Sequence, residues 1–397
     1  MTLHPSARSS IDPFRVMEIV AAAAERESAG EDVLHLEVGQ PSTGAPAGAV
    51  QAATRLLADR APLGYTPACG IAPLRDRIAE LYYDRYGVPV ETERVIVTAG
   101  ASAGVVLSVL AAFDPGDRVV VTEPGYPCYR QIMQALGIEP VPVRIGPEDG
   151  FLLSPAALDT AAESAPLDGV VIASPANPTG TVYDAAQLTA LDRWSRDHGV
   201  RLIADEIYHG ITFEGSAPTA TGLTTDNIVI GSFSKYFSMT GWRLGWLVAP
   251  PDLIEGIDRL SQNLYLSPPT LAQHAAIGAF GDTVELDAHV NRYRLNRDRL
   301  TATLNRIGVS DIAPCDGAFY LYGNVSSWGI DSRVLVDRWL DEIGVATAPG
   351  IDFDPVDGHR WIRWSLAGST ADVTEAAKRL ESWAVGQHRT VRQQGSV

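Results

Sequence analysis

Short apolar, β-branched runs alternate with longer helical patterns through most of this chain, and that alternation limits the fold more than any other feature. Arg94–Thr98 reads as a strand, Ser102–Phe113 as a helix ending before Asp114-Pro115-Gly116, and Arg118–Thr122 as a strand. Gly169–Ala173, Val200–Ala204, Asn227–Gly231 and Leu244–Val248 read as further strands, with a helix at Ala185–Asp197. Strands apolar at every position are covered on both faces, and strands that alternate with helices build a largely parallel sheet. The expectation is an α/β fold with one large domain over residues 48–285. The pattern then changes. A long helix at Asp287–Ile307, the segment Gly317–Tyr322, a helix near Ser332–Ile343, a strand at Trp361–Leu366 and a helix at Thr370–Ala384 predict a smaller α+β domain over residues 286–385. Residues 1–47 read as an N-terminal arm that also joins the small domain. Residues 386–397 carry little apolar content and read as a tail without fixed structure, as do the first ten residues.

A length of 397 residues leaves room for two or three domains. The formal charge of −17 argues against nucleic-acid binding, which needs dense Lys and Arg to neutralise phosphates. The longest mostly apolar run, Gly104–Phe113, is far short of the ~20 residues of a membrane helix. No basic segment followed by an apolar stretch opens the chain. Cys69, Cys128 and Cys315 are too few and too scattered for a disulfide framework or a zinc site. These features predict a cytoplasmic protein with no metal, no membrane and no nucleic-acid partner. Of the 31 basic residues only two are lysines, Lys235 and Lys378, so chemistry that needs a primary amine has two candidates.

Lys235 lies in Gly231-Ser-Phe-Ser-Lys-Tyr-Phe-Ser-Met-Thr-Gly-Trp-Arg243, directly after a predicted strand. An amine there can have its proton affinity lowered and condense with an aldehyde. Ser232, Ser234 and Arg243 beside it suit a phosphate dianion. Aldehyde and phosphate on one small molecule point to pyridoxal 5′-phosphate (PLP). Taken alone, a Ser-x-Ser-Lys stretch is more often a surface loop. Asp205 ends another apolar strand, where ligands gather in open α/β sheets, and a carboxylate there could keep a pyridine nitrogen protonated. Tyr208, three residues on, could donate to the ring oxygen. Glu206 and His209 read as structural or solvent-facing. Asn177 sits between two prolines, which reduce the entropy of presenting its amide. Thr98-Ala-Gly-Ala-Ser102 joins a strand to a helix, and free N–H groups at such a terminus bind anions. Tyr126, mounted between Gly125 and Pro127, could stack on a planar ring. Arg363, amid apolar strand residues, is either a surface charge or a buried fork for a carboxylate.

Together these segments resemble the PLP-dependent aminotransferases of fold type I, class I/II, the aspartate-aminotransferase-like group. The resemblance runs in order over about residues 30–385. It includes Gly39-Gln-Pro41, Tyr65-Thr-Pro-x-x-Gly70, Thr98-Ala-Gly-Ala-Ser102, Pro124-Gly-Tyr126, Asn177-Pro-Thr-Gly180 and Asp205-Glu-x-Tyr208. It continues through Ser232-x-Ser-Lys235, Gly241-x-Arg243-x-Gly245, Gly317-Ala-Phe-Tyr320 and Arg363. The resemblance implies a mostly parallel sheet of seven-stranded type sandwiched by helices, plus the smaller α+β domain. It implies that Lys235 forms the internal aldimine and then serves as general base and acid. Asp205 pairs with the pyridine nitrogen, Tyr208 and Asn177 bond the phenolate oxygen, and Tyr126 stacks on the ring. Ala101, Ser102, Ser232, Ser234 and Arg243 hold the phosphate. Arg363 clamps the substrate α-carboxylate, with Asn177 and the Gly39 backbone beside it. Tyr65 reaches the phosphate of a neighbouring subunit, which implies a homodimer with shared sites. The implied reaction moves an amino group from an L-amino acid, aspartate-like or aromatic/neutral, to a 2-oxo acid such as 2-oxoglutarate. A β-lyase or other PLP enzyme of the same fold is the alternative, and a non-catalytic PLP-binding regulator a remoter one. Lys378 matches no motif and reads as a surface residue.

Overall fold

A computed structural model describes residues 3–394, with side chains described as far as residue 387. In chain order the strands are β1 (Leu34–His35), β2 (Val95–Thr98), β3 (Arg118–Glu123), β4 (Glu139–Arg144), β5 (Gly169–Ala173) and β6 (Arg201–Asp205). They continue with β7 (Ile228–Ser232), β8 (Gly245–Val248), β9 (Tyr320–Asn324), β10 (Val345–Ala346), β11 (Ala348–Pro349) and β12 (Trp361–Ser365). Seven of them form one sheet in the order β2-β8-β7-β6-β5-β3-β4. The pairs β4–β3, β3–β5, β5–β6 and β6–β7 are parallel, and β8 alone runs antiparallel to both its neighbours. Residues of β2, β7 and β8 are buried at every position, which is why their sequences do not alternate.

The reversal at β8 decides where the site lies. β7 ends at Ser232 and β8 begins at Gly245, and these two residues are paired across the ladder. Thr98, the last residue of β2, pairs with the same Gly245. The C-terminal ends of β2, β6 and β7 and the loop joining β7 to β8 therefore meet at one edge of the sheet. That loop carries Lys235 and Arg243. Ligands of parallel sheets bind at this edge because helix N-termini and loop donors converge there.

β4 was not expected from the sequence. Pro140 and Pro142 argue against a ladder strand, yet β4 is the sheet's edge and pairs only with β3. A missing N–H on the open side of an edge strand costs no hydrogen bond. The smaller sheet is antiparallel in the order β11-β12-β9, with Arg363 in β12 opposite Ala348 and Tyr322. β1 pairs in parallel with β10. The helices Thr283–Arg306 and Thr370–Gln394 pack on one another beside this sheet. The last helix corrects the expectation of a structureless tail from Gly386: it runs unbroken to Gln394. The stretch after Gly386 holds no proline, and its Gln and Arg residues are good helix formers. Residues 395–397, and residues 1 and 2, lie outside the described residues. Within the first ten, Ala7–Ser9 forms one exposed 3₁₀ turn capped by Ser6. Among the described residues no helix is long and apolar enough to cross a membrane.

A sheet covered on both faces makes its central strands far more sensitive to truncation than its edge. Ile203→Ala in β6 should lower unfolding free energy by about 2–5 kcal/mol, whereas Val141→Ala in the partly exposed β4 should cost well under half of that. Urea denaturation at constant slope checks both, and equal losses would mean that the core is not centred on β6.

Candidate active site

A cavity of about 260 Å³ opens at the C-terminal edge of the large sheet and extends to β12 of the small one. Three cations line it, Lys235, Arg243 and Arg363, against one carboxylate, Asp205. This imbalance governs the local chemistry.

Lys235 is partly buried, and its Nζ donates to the Gly39 carbonyl at 2.6 Å. Burial, with the nearby charges of Arg363 and Arg243 and against the opposing pull of Asp205, pushes its pKa down to about 8. Gly39 is required by space: a Cβ there would overlap the Tyr320 phenol. Asp205, the last residue of β6, is buried. Its Oδ1 accepts the Ile207 N–H at 3.1 Å, and its Oδ2 accepts a short hydrogen bond from the Tyr129 hydroxyl. Burial raises its pKa to about 6, opposed by the Tyr129 and Ile207 donors and by Lys235. Tyr208 and Tyr320 share a hydroxyl–hydroxyl hydrogen bond of 2.7 Å, and burial holds both phenols protonated.

Arg363 is 2% exposed and forms no ion pair with any described residue. Its Nη1 donates to Asn177 Oδ1 at 2.9 Å, and its Nη2 donates to the Glu37 carbonyl. The guanidinium packs against the rings of Tyr320 and Phe353, at 4.4 and 4.6 Å from their centroids. A buried guanidinium without a carboxylate is costly unless an anion completes it. Arg243 sits at the other end of the cavity in the left-handed region, φ 53°. A non-glycine residue held there stores strain of the kind that gathers at ligand sites. Its Nη1 donates to the Thr240 carbonyl at 3.0 Å, and its Nη2 leaves no room for a Cβ on Gly100. Gly100, φ 86°, starts the helix Ala101–Ala112, so Ala101 and Ser102 lie in the first turn. Ser232 and Ser234 are buried beside them, with the Ser234 N–H on Ser232 Oγ at 3.0 Å. A helix N-terminus, two hydroxyls and an arginine with no carboxylate form an anion cradle. Tyr126 lines the same cavity, edge-on to Phe14 and Tyr129.

The cavity thus brings together Lys235, Asp205, Tyr208, Asn177, Ala101, Ser102, Ser232, Ser234, Arg243, Tyr126, Gly39 and Arg363. Tyr65 is not among its lining residues and is 85% exposed. Sequence reasoning overlooked Tyr129 and gave Tyr320 no role. Tyr129 stands three residues after Tyr126 in one helical stretch, so the pair shares a face, the signal that could have found it. Glu206 and His209 do not face solvent: both are buried, Glu206 accepting from Thr219 and the Ala220 N–H, His209 paired with Tyr86. Lys378 is exposed and pairs with Glu375. Among the described residues no group of three or more His, Cys, Asp or Glu could hold a metal ion.

Gly39→Ala should displace the Tyr320 ring, break its bond to Tyr208 and cost roughly 1–3 kcal/mol of stability. Thermal unfolding of the single mutant and of Gly39→Ala with Tyr320→Phe checks this. The second change removes the first atom met and should recover part of the loss.

The match to known proteins agrees with this geometry. Residues 31–380 fit the model of the family described as aminotransferase class I and II. A valine–pyruvate aminotransferase of Mycobacterium tuberculosis is 45% identical over 98% of this chain and 100% of that one. The crystal structure of an aminotransferase from Mycobacterium tuberculosis superposes with a TM-score of 0.94 at 44% identity, covering 97% of this chain and 100% of the other. The aspartate aminotransferase of Thermus thermophilus with maleate gives 0.89 at 31% identity, covering 96% and 100%. The family model spans most of the chain and these relatives cover nearly all of it, so the chain belongs to the aminotransferases of class I and II, enzymes that transfer amino groups.

Proposed function

We propose that this aminotransferase works with pyridoxal 5′-phosphate and takes the amino group of an L-amino acid with a neutral, apolar side chain, passing it to a small 2-oxo acid. The residues fit the cofactor: the cradle of Ala101, Ser102, Ser232, Ser234 and Arg243 suits its phosphate, and Lys235 its aldehyde. Asp205 would hold the ring nitrogen protonated, Tyr208 and Asn177 would face the ring oxygen, and Tyr126 would cover the ring. When bound, that group supplies an aldehyde and a ring that takes up electron density.

The observation that carries the donor assignment is the cation count. Among the described residues Lys235, Arg243 and Arg363 are the only cations that line the cavity, and in this reading each is committed. Arg243 belongs to the phosphate and Arg363 to the α-carboxylate, so no cation remains for a side-chain carboxylate. Phe14, Val16, Met17, Val105 and Ile132 present apolar surface instead. This favours the neutral donors over the aspartate-like ones. The valine and pyruvate in the name of the 45%-identical relative support an apolar donor and make pyruvate an acceptor to test beside 2-oxoglutarate.

The protein's own contributions follow from the geometry. Arg363, held rigid by Asn177, Glu37 and two rings, fixes the substrate carboxylate and thereby the bond to be broken. Lys235 moves the proton at the α-carbon. With a pKa of about 8, roughly a tenth of Lys235 is neutral at pH 7, against fewer than one in a thousand for an ordinary lysine. Tyr65 supports the homodimer reading. It is exposed on a segment bonded to Ser267 and Thr270, next to the exposed Leu264 and Leu266, where a second subunit could receive it.

Three outcomes are expected. Lys235→Ala should abolish transamination while the protein stays folded by circular dichroism, and appreciable turnover would exclude the assigned role. Cofactor uptake by the apoprotein should accelerate with rising pH and level off above about pH 8, where Lys235 is neutral, and stopped-flow absorbance would show an inflection near the ordinary lysine value if the amine were unperturbed. Mixed singly with each amino acid, the loaded enzyme should convert valine, leucine or an aromatic donor to its 2-oxo acid faster than aspartate. Mass spectrometry that found ammonia, pyruvate and the expelled thiol from cysteine or an S-substituted cysteine, with no amino group transferred, would establish the lyase alternative.

A further inference from the structure

The first helix, α1 (Val16–Ser28), begins at the mouth of the active-site cavity, and Phe14, Val16 and Met17 form part of the cavity's apolar wall. Phe14 also meets Tyr126 edge-on at 6.4 Å. The start of α1 has no cap of its own. Its N-cap, Arg15, makes no side-chain hydrogen bond to the backbone of the first turn, and its guanidinium pairs with the Glu18 carboxylate at 3.5 Å. The free N–H groups instead reach a residue more than three hundred positions away: Arg15 N donates to Asp352 Oδ1 at 3.0 Å and Val16 N to Asp352 Oδ2 at 2.9 Å. Asp352 is 6% exposed, so both oxygens are spent on this helix end. A carboxylate there satisfies two orphan donors and meets the positive end of the helix dipole.

The neighbours of Asp352 tie this cap to substrate binding. Phe353 packs on the Arg363 guanidinium, and its carbonyl accepts the Gly125 N–H at 3.0 Å, beside Tyr126. Val16, Phe353, Tyr322 and Trp361 share one buried cluster. The wall that meets the donor side chain is thus attached to the same segment that braces the group for the donor carboxylate.

We propose that Asp352 is a specificity-positioning residue: by capping α1 from the connection between β11 and β12 it sets the distance between Arg363 and the apolar wall of Phe14, Val16 and Met17, and so the length of donor side chain accepted. This rests on the reading of an apolar donor. Asp352 touches no reacting atom, so its loss acts on side-chain selection and leaves the chemical step intact.

The test compares alanine, valine and leucine as donors for Asp352→Ala and Asp352→Asn, and measures trypsin cleavage after Arg15 in the same proteins. Asp352→Ala should raise KM about tenfold for valine and leucine, a loss of the size expected for a helix cap, with less than a twofold change for alanine and kcat within about twofold. Cleavage after Arg15 should accelerate in parallel, and Asp352→Asn, which keeps one acceptor oxygen, should recover part of both effects. Equal KM changes for all three donors, or wild-type selectivity together with wild-type cleavage, would overturn the proposal. If Asp352→Ala does not fold, Arg15→Pro decides, because its φ of −62° suits proline and the change deletes one N–H of the pair, while Arg15→Ala keeps it. The proline variant alone should then show the selectivity change, and identical donor profiles of the two variants overturn the cap. Wild-type protein that uses none of the three donors refutes the donor reading, and the cleavage arm still decides the cap.

Discussion

Three positive charges and one buried carboxylate share the cavity, and most of the site follows from that imbalance. Arginine stays protonated under all ordinary conditions, so Arg243 and Arg363 cannot relieve the repulsion by losing a proton. Lysine can. Lys235 is the group that yields, and burial together with its cationic neighbours moves its pKa to about 8. The same physics leaves two arginines without an ion-pair partner among the described residues at opposite ends of one cavity. Each is an unmet demand for an anion, and the phosphate and substrate carboxylate of the proposed reaction would meet both at once.

The architecture serves this arrangement by bringing the ends of distant segments to one edge. Parallel strands deliver Thr98, Asp205 and Ser232 to the same side of the sheet, and the antiparallel β8 returns the loop so that Lys235 and Arg243 stay there. The small sheet supplies Arg363 from the middle of β12, braced by Tyr320 on β9 and by Phe353. Close approach is bought with glycine at two points. Gly39 lets its carbonyl reach Lys235 beneath the Tyr320 ring, and Gly100 lets the Arg243 guanidinium lie against the start of a helix.

Much of this was legible in the residues. Strands buried on both faces write themselves as continuous apolar runs, so β2, β5, β6, β7 and β8 could be read directly, and β2, β5, β6 and β7 carry their candidate site residues at or just beyond their C-terminal ends. β4 could not be read. Its prolines signal against a strand, and only its place at the open edge makes them harmless. The end of the final helix was missed for a related reason: local composition looks like a tail, and the run to Gln394 carries no breaker that would stop it. Tyr129 was hidden because its partner, Asp205, lies 76 positions away and a tyrosine in a helix looks like core. Glu206 and His209 could be read only as structural or solvent-facing, because a buried polar pair is written with the same letters as an exposed one, and their burial decides for the structural role.

By itself the sequence determined the class of fold, the identity of the amine, and the set of residue types that could hold an aldehyde, a phosphate and a carboxylate, because those depend on local pattern and on functional groups. Tertiary structure alone decided which charges share a cavity, that Arg363 is buried without an ion-pair partner among the described residues, that Lys235 has its proton affinity lowered, and that the first helix is capped by Asp352. Those properties depend on distance and on exclusion of water, and both arise only when segments hundreds of residues apart are packed against one another.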